Sequence, residues 1–182
     1  MSLKDKAKEI FAAEIEHEAA SKSISDITVS DICKACEATR QSFYYHFHDK
    51  YDLIAWIYMQ DFAFSIEKAG DFGKDTLVGM FQRIYQRKSF YQNAFSDHSQ
   101  NNLLDYINQY DTKFLLDMLG KEYNVDTSSI ELETAVRYHS YGLIGVIKDW
   151  LNGNIKETDD QLAEFLHDTF SDLINKYVKP NS

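Results

Sequence analysis

Ile27-Thr28-Val29-Ser30-Asp31-Ile32-Cys33-Lys34-Ala35-Cys36-Glu37-Ala38-Thr39-Arg40-Gln41-Ser42-Phe43-Tyr44-Tyr45-His46-Phe47-His48-Asp49-Lys50-Tyr51-Asp52-Leu53 is the stretch that decides the fold. Thr28 and Asp31 have capping-box spacing. The threonine hydroxyl can accept from the amide three residues on, and the carboxylate can reach back to the free amide at the cap. A short helix is predicted from there to about Cys36. Thr39 is a second good N-cap, and it predicts a helix from Arg40 to about Phe47. Asp49 then opens a longer helix holding Leu53, Ile54, Trp56, Ile57, Met59 and Phe62. Upstream, residues 3–20 read as an amphipathic helix with Ala7, Ile10 and Phe11 on its apolar side. The pattern is helix, tight turn, helix, with a supporting helix on each flank. Ile27, Ile32, Ala35, Ala38, Phe43 and Phe47 supply the expected inner face.

The second short helix offers Arg40, Gln41, Tyr44 and Tyr45 outward. These side chains suit duplex DNA. Arginine forks onto guanine, glutamine onto adenine, and a phenol hydroxyl bonds phosphate. His46 and Lys50 follow, where a DNA backbone would pass. Spacing alone does not separate this reading from two ordinary packed helices with a polar surface; the residue string does.

That string, with aromatics on both sides of His46 and then Asp49-Lys50 and Leu53, resembles the DNA-binding domain of the tetracycline-repressor (TetR) family. The resemblance implies an all-helical dimer whose first three helices bind operator DNA and whose remainder binds a ligand and the partner subunit. By position it implies that Arg40, Gln41 and Tyr44 face bases or phosphates. Val29 and Ser30 would approach the backbone, Lys50 would hold a phosphate, and His46 would lie near the backbone. Glu37 stands where the family usually has glycine. If that turn needs a left-handed residue, the cost is roughly 1 kcal/mol, and the residue brings a negative charge toward DNA. Tyr45 and His48 occupy positions that are often basic in the family, which implies modest, salt-sensitive affinity. A looser resemblance spans nearly the whole chain. Asp49 to Ile57, Phe90-Tyr91-Gln92-Asn93-Ala94-Phe95 and Trp150-Leu151-Asn152-Gly153 are similar to regulators of dihydroxyacetone kinase operons. The family resemblance implies gating by a small-molecule ligand, whereas this branch implies a regulator of dihydroxyacetone metabolism, activator or repressor, controlled by a kinase-like coactivator protein.

Composition agrees with an all-α protein. Among 182 residues there are seven glycines and one proline, Pro180. So few chain-breaking residues favour long helices. Further helices are expected at 74–88, 100–119, 129–152 and 158–177, with Gly120, Gly153 and Asn154 as stops. The expected division is a DNA-binding domain over 1–50 and a helical regulatory and dimerisation domain over 51–182. Net charge is −10, which argues against a general polyanion binder. Residues 22–50 nevertheless balance four basic against four acidic side chains, while residues 56–182 carry 12 basic and 19 acidic ones. The N-terminus lacks an apolar leader core and no stretch nears the 18 apolar residues of a membrane span. A cytoplasmic location without membrane contact is the expectation.

Other constellations carry less. Cys33-Lys34-Ala35-Cys36 with His46 and His48 has zinc-ligand types but not finger spacing, so no metal is expected and the cysteines should pack as small hydrophobes. His98, His139 and His167 lie beside Asp97, Tyr138 and Asp168, but helical neighbours point different ways, and no phosphate loop or nucleophile elbow is present. No enzyme activity and no cofactor are expected. The aromatic residues Tyr85, Tyr91, Tyr106, Tyr110, Phe114, Tyr138 and Tyr141 fit either core packing or a ligand pocket. Leu143, Ile147, Trp150, Leu166 and Phe170, on the last two helices, are dimer contacts by what the resemblance implies, with Gly142 and Gly145 allowing close approach; an intramolecular core alone is the alternative reading. Two recognition helices must meet successive major grooves, about 34 Å apart, so a fixed dimer makes physical sense. A change in the regulatory part would tilt the helix starting at Asp49 and alter that spacing.

Overall fold

The computed structural model describes residues 3–96, 103–123 and 125–177. Among them all regular structure is helical: α1 Leu3–Ala19, a 3-10 turn Ile24–Asp26, α2 Val29–Ala35, α3 Arg40–His46, α4 Lys50–Ala69, α5 Lys74–Gln86, α6 Lys88–Ser96, α7 Leu103–Tyr123, α8 Ile130–Leu151 and α9 Asp159–Tyr177. The all-α reading holds. His98 and Asp97 lie outside the described residues.

The local signals around the decisive stretch work as chemistry. Thr28 accepts from the Asp31 amide at 3.2 Å and Asp31 accepts from the Thr28 amide at 3.0 Å, completing the capping box of α2. Thr39 caps α3 through the Ser42 amide at 3.1 Å. Asp49 caps α4 through the Tyr51 and Asp52 amides at 2.8 and 3.0 Å. Each such cap stabilises its helix by about 1 kcal/mol. Glu37 has φ 51°, the left-handed conformation the turn demands.

The core of this head is narrower than the sequence reading. Ile27, Ile32, Phe43 and Phe47 are buried and Ala38 half-buried, but Ala35 is exposed; its place is taken by Cys33, with Cys36 half-buried. On α1 the buried stripe is Phe11, Ala12, Ile15 and Ala19, and Ile10 faces outward. Both cysteine thiols point at backbone carbonyls, Cys33 at Thr39 and Cys36 at Ile10, each 3.7 Å away. Burial raises the Cys33 pKa and pushes that of Cys36 up to about 11.

Beyond α4 two boundaries differ from expectation. Gly120 does not end α7, which runs on to Tyr123. The segment expected as one helix over 74–88 ends at Gln86, and a separate α6 follows. The break falls at Arg87, whose guanidinium turns inward to the fully buried Asp61. The buried Phe90, Tyr91, Ala94 and Phe95 then fix α6 in the core.

Candidate nucleic-acid interface and regulatory cavity

α3 presents the expected readers. Arg40 and Gln41 are exposed, Tyr44 is 48% exposed and Tyr45 66% exposed. The Arg40 guanidinium donates to the Tyr44 hydroxyl at 3.2 Å and sits 5.8 Å from its ring. A long cation is thereby pre-oriented, which lowers the entropy lost when it docks. Ser30 is exposed at the start of α2, and Val29 is half-buried against the core. His46 is half-buried, with its ring centroid 5.0 Å from Tyr45 and 6.4 Å from Phe11. Its place is behind the exposed row of α3.

Lys50 is differently occupied than the resemblance implies. Its ammonium donates to the carbonyls of Ile24, Ser25 and Ile27 at 2.5, 3.0 and 2.8 Å. An ammonium has three donors, and these three bonds tie the α1–α2 connector to the start of α4. In this conformation Lys50 is a brace of the head.

Two carboxylates at the α3–α4 corner are each shared between the head and α7. Asp49 caps α4 with Oδ1 and accepts from the Tyr106 hydroxyl with Oδ2 at 3.0 Å. Asp52 accepts from the His48 amide with Oδ2 at 2.8 Å and from the Tyr110 hydroxyl with Oδ1. Burial, then the carboxylate bond, pushes the Tyr106 phenol up to about 12 and Tyr110 well above its ordinary value. Both stay protonated donors. A third tie comes from α6: the Asn93 amide group accepts from Ile24 N at 3.0 Å and donates to Ala19 O at 3.0 Å and Lys22 O at 2.7 Å.

The tyrosines proposed for a pocket are dispersed. Tyr106 and Tyr110 hold the α4 start. Tyr91 is buried, donating to Asp61 at 2.6 Å. Tyr85, Tyr138 and Tyr141 are 54%, 81% and 51% exposed. Only Phe114 of the seven lines the internal cavity of about 20 Å³ between α4, α5, α7, α8 and α9. Its other walls include Tyr58, Phe62, Asp111, His139 and Phe170. Asp111 was detectable in the sequence: it falls in the stripe Leu103, Ile107, Asp111, Leu115, Met118 of α7, an acid at an apolar position.

The residues expected at a dimer contact are mostly interior to one chain. Leu143, Ile147, Leu166 and Phe170 are at most 8% exposed, so a second subunit cannot reach them as they stand. Trp150 is half-buried, 5.2 Å from Phe81 and 5.3 Å from Tyr85, and its indole donates to Glu157 O at 3.0 Å. The outward face of α8 and α9 instead carries Tyr138, Tyr141 and Phe165, with Gly142 and Gly145 between.

Comparison with known proteins agrees with both halves. Residues 15–57 match the family described as bacterial regulatory proteins, tetR family. Residues 74–172 match the family described as transcriptional regulator C-terminal region. The chain is 25% identical over 134 residues, 71% of either chain, to the HTH-type dhaKLM operon transcriptional activator DhaS of Lactococcus lactis subsp. lactis. Its fold is similar to a solved structure titled dihydroxyacetone kinase operon activator DhaS, with TM-score 0.57 and 20% identity over 95% of this chain and 98% of that one.

Proposed function

Because the chain belongs to the tetR family of bacterial regulatory proteins, we propose that this transcriptional regulator grips operator DNA as a homodimer through α3. In this reading residues 1–50 form the DNA-reading head and 51–182 the regulatory and dimerising part. Arg40, Gln41 and Tyr44 contact bases or phosphates, with Tyr45 and Ser30 at the flanking backbone. The observation that carries the reading is the exposed row on a helix whose opposite side, Phe43, is wholly buried, next to a turn held left-handed at Glu37.

The homodimer forms through the outward face of α8 and α9. Gly142 and Gly145 support this: apart from its immediate neighbours and the adjoining backbone of α8, a Cβ at either would meet nothing among the described residues within 4 Å. Glycine inside a helix costs roughly 0.5–1 kcal/mol relative to alanine. A close neighbour from outside the chain is one reason to keep it there. Regulation passes through the Tyr106 and Tyr110 hydroxyls to the start of α4, and its input is a small molecule in the cavity beside Phe114. A second input, a kinase-like coactivator protein, is favoured by the 25% identical relative, whose name describes an activator of the dhaKLM operon. The regulated genes would then serve dihydroxyacetone metabolism.

Selection of bound fragments from the source genome, with sedimentation of the purified chain, tests the proposal. One short palindromic sequence bound by two copies is expected, and Arg40→Ala should weaken it by about 1–3 kcal/mol and relax base preference. A monomer that retains no fragment at low salt would overturn it. Co-purification with a kinase-like protein from the source cells would favour the second input.

A further inference from the structure

Two acids buried in the regulatory bundle are treated in opposite ways. Asp61 is fully enclosed and fully paired: Arg83 donates to it at 2.9 Å, Arg87 at 3.2 Å, and the Tyr91 hydroxyl at 2.6 Å. Asp111 is only 5% exposed, yet no arginine or lysine pairs with it among the described residues. Its two donors, the hydroxyls of Tyr58 at 3.5 Å and Ser140 at 3.3 Å, both fall on Oδ2. Oδ1 has no donor among the described residues. A buried carboxylate without a counter-charge is costly, and burial accordingly pushes Asp111 up to about 7.

Asp111 lines the cavity. The titratable groups lining it are Tyr58 from α4, Asp111 from α7, His139 from α8 and His167 from α9. His139 cannot serve as the missing cation near neutral pH, because burial lowers its pKa to about 4. His167 lies toward the surface, 3.4 Å from Asp168. The remaining walls are apolar and rich in aromatic rings. Phe62 and Phe114 meet edge to face at 5.0 Å, Phe72 and Phe170 at 5.4 Å, and His139 tilts against Phe170 at 4.7 Å.

We infer that this cavity is a binding site for a small organic cation, a protonated amine that donates to Asp111 Oδ1 and lies among the Phe62, Phe114 and Phe170 rings. An anion would meet a buried acid in an apolar enclosure. A neutral alcohol would leave the carboxylate without its counter-charge. A cation supplies that charge and gains from nearby aromatic rings. A volume of about 20 Å³ holds roughly one water-sized group, which suits an ammonium head; the alkyl part requires the half-buried Phe72 or His167 side chain to move aside. The inference rests on the reading that a small molecule in this cavity regulates the protein, and it names the class of that molecule.

Titration calorimetry of the full-length protein at pH 8 tests it. The probes are isobutylammonium and 2-phenylethylammonium chlorides, each against its matched alcohol, with sodium isobutyrate as the anion. At least one amine should bind about tenfold or more tightly than its alcohol, isobutyrate should not bind, and the preference should shrink at pH 6 as Asp111 protonates. Asp111→Asn should erase the preference. Should that variant fail to fold, Phe62→Leu should weaken the amine more than the alcohol. Alcohols binding as well as amines, or an amine preference surviving in Asp111→Asn, overturns the inference. The same probes in a DNA-retention assay keep the two readings apart. Amine binding without any effect on DNA leaves the site standing and removes regulation through it. DNA retention that responds to other cavity ligands while no amine outbinds its alcohol removes the site's assignment alone.

Discussion

Replacing Glu37 by glycine tests the turn and the interface together. Glu37 holds φ 51°, which costs an L-residue roughly 1–2 kcal/mol. The conformation is enforced from both sides, since Ala38 N donates to Cys33 O at 2.8 Å and Glu37 N to Lys34 O at 3.3 Å. The side chain is exposed, so truncating it forfeits no packing. Against the relieved strain stands the greater freedom of glycine in the unfolded chain, about 0.4–1 kcal/mol. The net expectation is a gain of roughly 0.5–1 kcal/mol, or about 1–4 °C in Tm for a chain of this length. Glu37→Gln separates charge from strain: it removes the negative charge but keeps the Cβ. Both variants should bind operator about two- to fivefold more tightly at low salt, with the gain shrinking at high salt as screening shortens the reach of the charge. Only Glu37→Gly should melt higher. Differential scanning fluorimetry and fluorescence anisotropy on a labelled operator read the two effects. If Glu37→Gly melts below the wild type, the turn is not strained; if neither variant changes the salt-dependent affinity, the turn does not face phosphates.

Asn93→Ala should cost about 1–3 kcal/mol in urea denaturation, because it strands partners of the α1–α2 connector in a partly buried site, and amide exchange should accelerate first around residues 19–27. Tyr106→Phe with Tyr110→Phe should shift effector-free DNA retention to the effector-bound level, since the two hydroxyls hold Asp49 and Asp52 at the α3–α4 corner. The pair should abolish the response of that retention to an effector, and an intact response would exclude the two hydroxyls as the route. Asp111 makes stability fall as pH rises. Its folded pKa, about 7, lies above the ordinary carboxylate value, so the folded state holds the extra proton between about pH 4 and 7. The penalty is absent below that window and complete above it. His139 acts oppositely: burial lowers it to about 4, so its contribution is lost as pH falls from about 6.5 to 4. The stability of Asp111→Asn minus that of wild type should therefore grow from pH 4.5 to 8, and a flat difference would refute the raised value.

The head was legible because its signals are local. Thr28, Asp31, Thr39 and Asp49 each cap a helix through atoms within three residues, so their spacing alone places α2, α3 and the start of α4. The break at Arg87 had no such signal. Neither glycine nor proline marks it; it coincides with a tertiary contact, the Arg87 side chain meeting Asp61 26 residues away, which local spacing does not reveal. The string Phe90 to Phe95 was visible as a resemblance, but its content is tertiary: Tyr91 serves Asp61, Gln92 donates to Leu151 O at 2.8 Å, and Asn93 holds the connector. Apolar periodicity on α8 and α9 identified what must be buried without saying by whom. Leu143, Ile147, Leu166 and Phe170 are covered by their own chain. The tyrosine candidates lie away from the cavity, although Tyr58 lines it, because a phenol also serves as a long donor to a carboxylate elsewhere, as Tyr106 and Tyr110 do to Asp49 and Asp52.

Helix α7 brings those two observations together. Tyr106, Tyr110 and Asp111 lie within five residues of one another, roughly 7.5 Å along the axis. A helix this regular moves as a rod over that length. Any displacement that admits a molecule beside Asp111 is therefore delivered to the two phenol oxygens almost undiminished. The bonds they make are steep in distance: the Tyr106 contact with Asp49 is 3.0 Å, and a shift of about 1 Å takes such a bond beyond useful range. Meanwhile Lys50 and Asn93 still fasten the connector to α4 and α6. The head would then be released at the α3–α4 corner but held at the connector, and rotation about that anchor is the motion that changes the spacing of two recognition helices in a dimer.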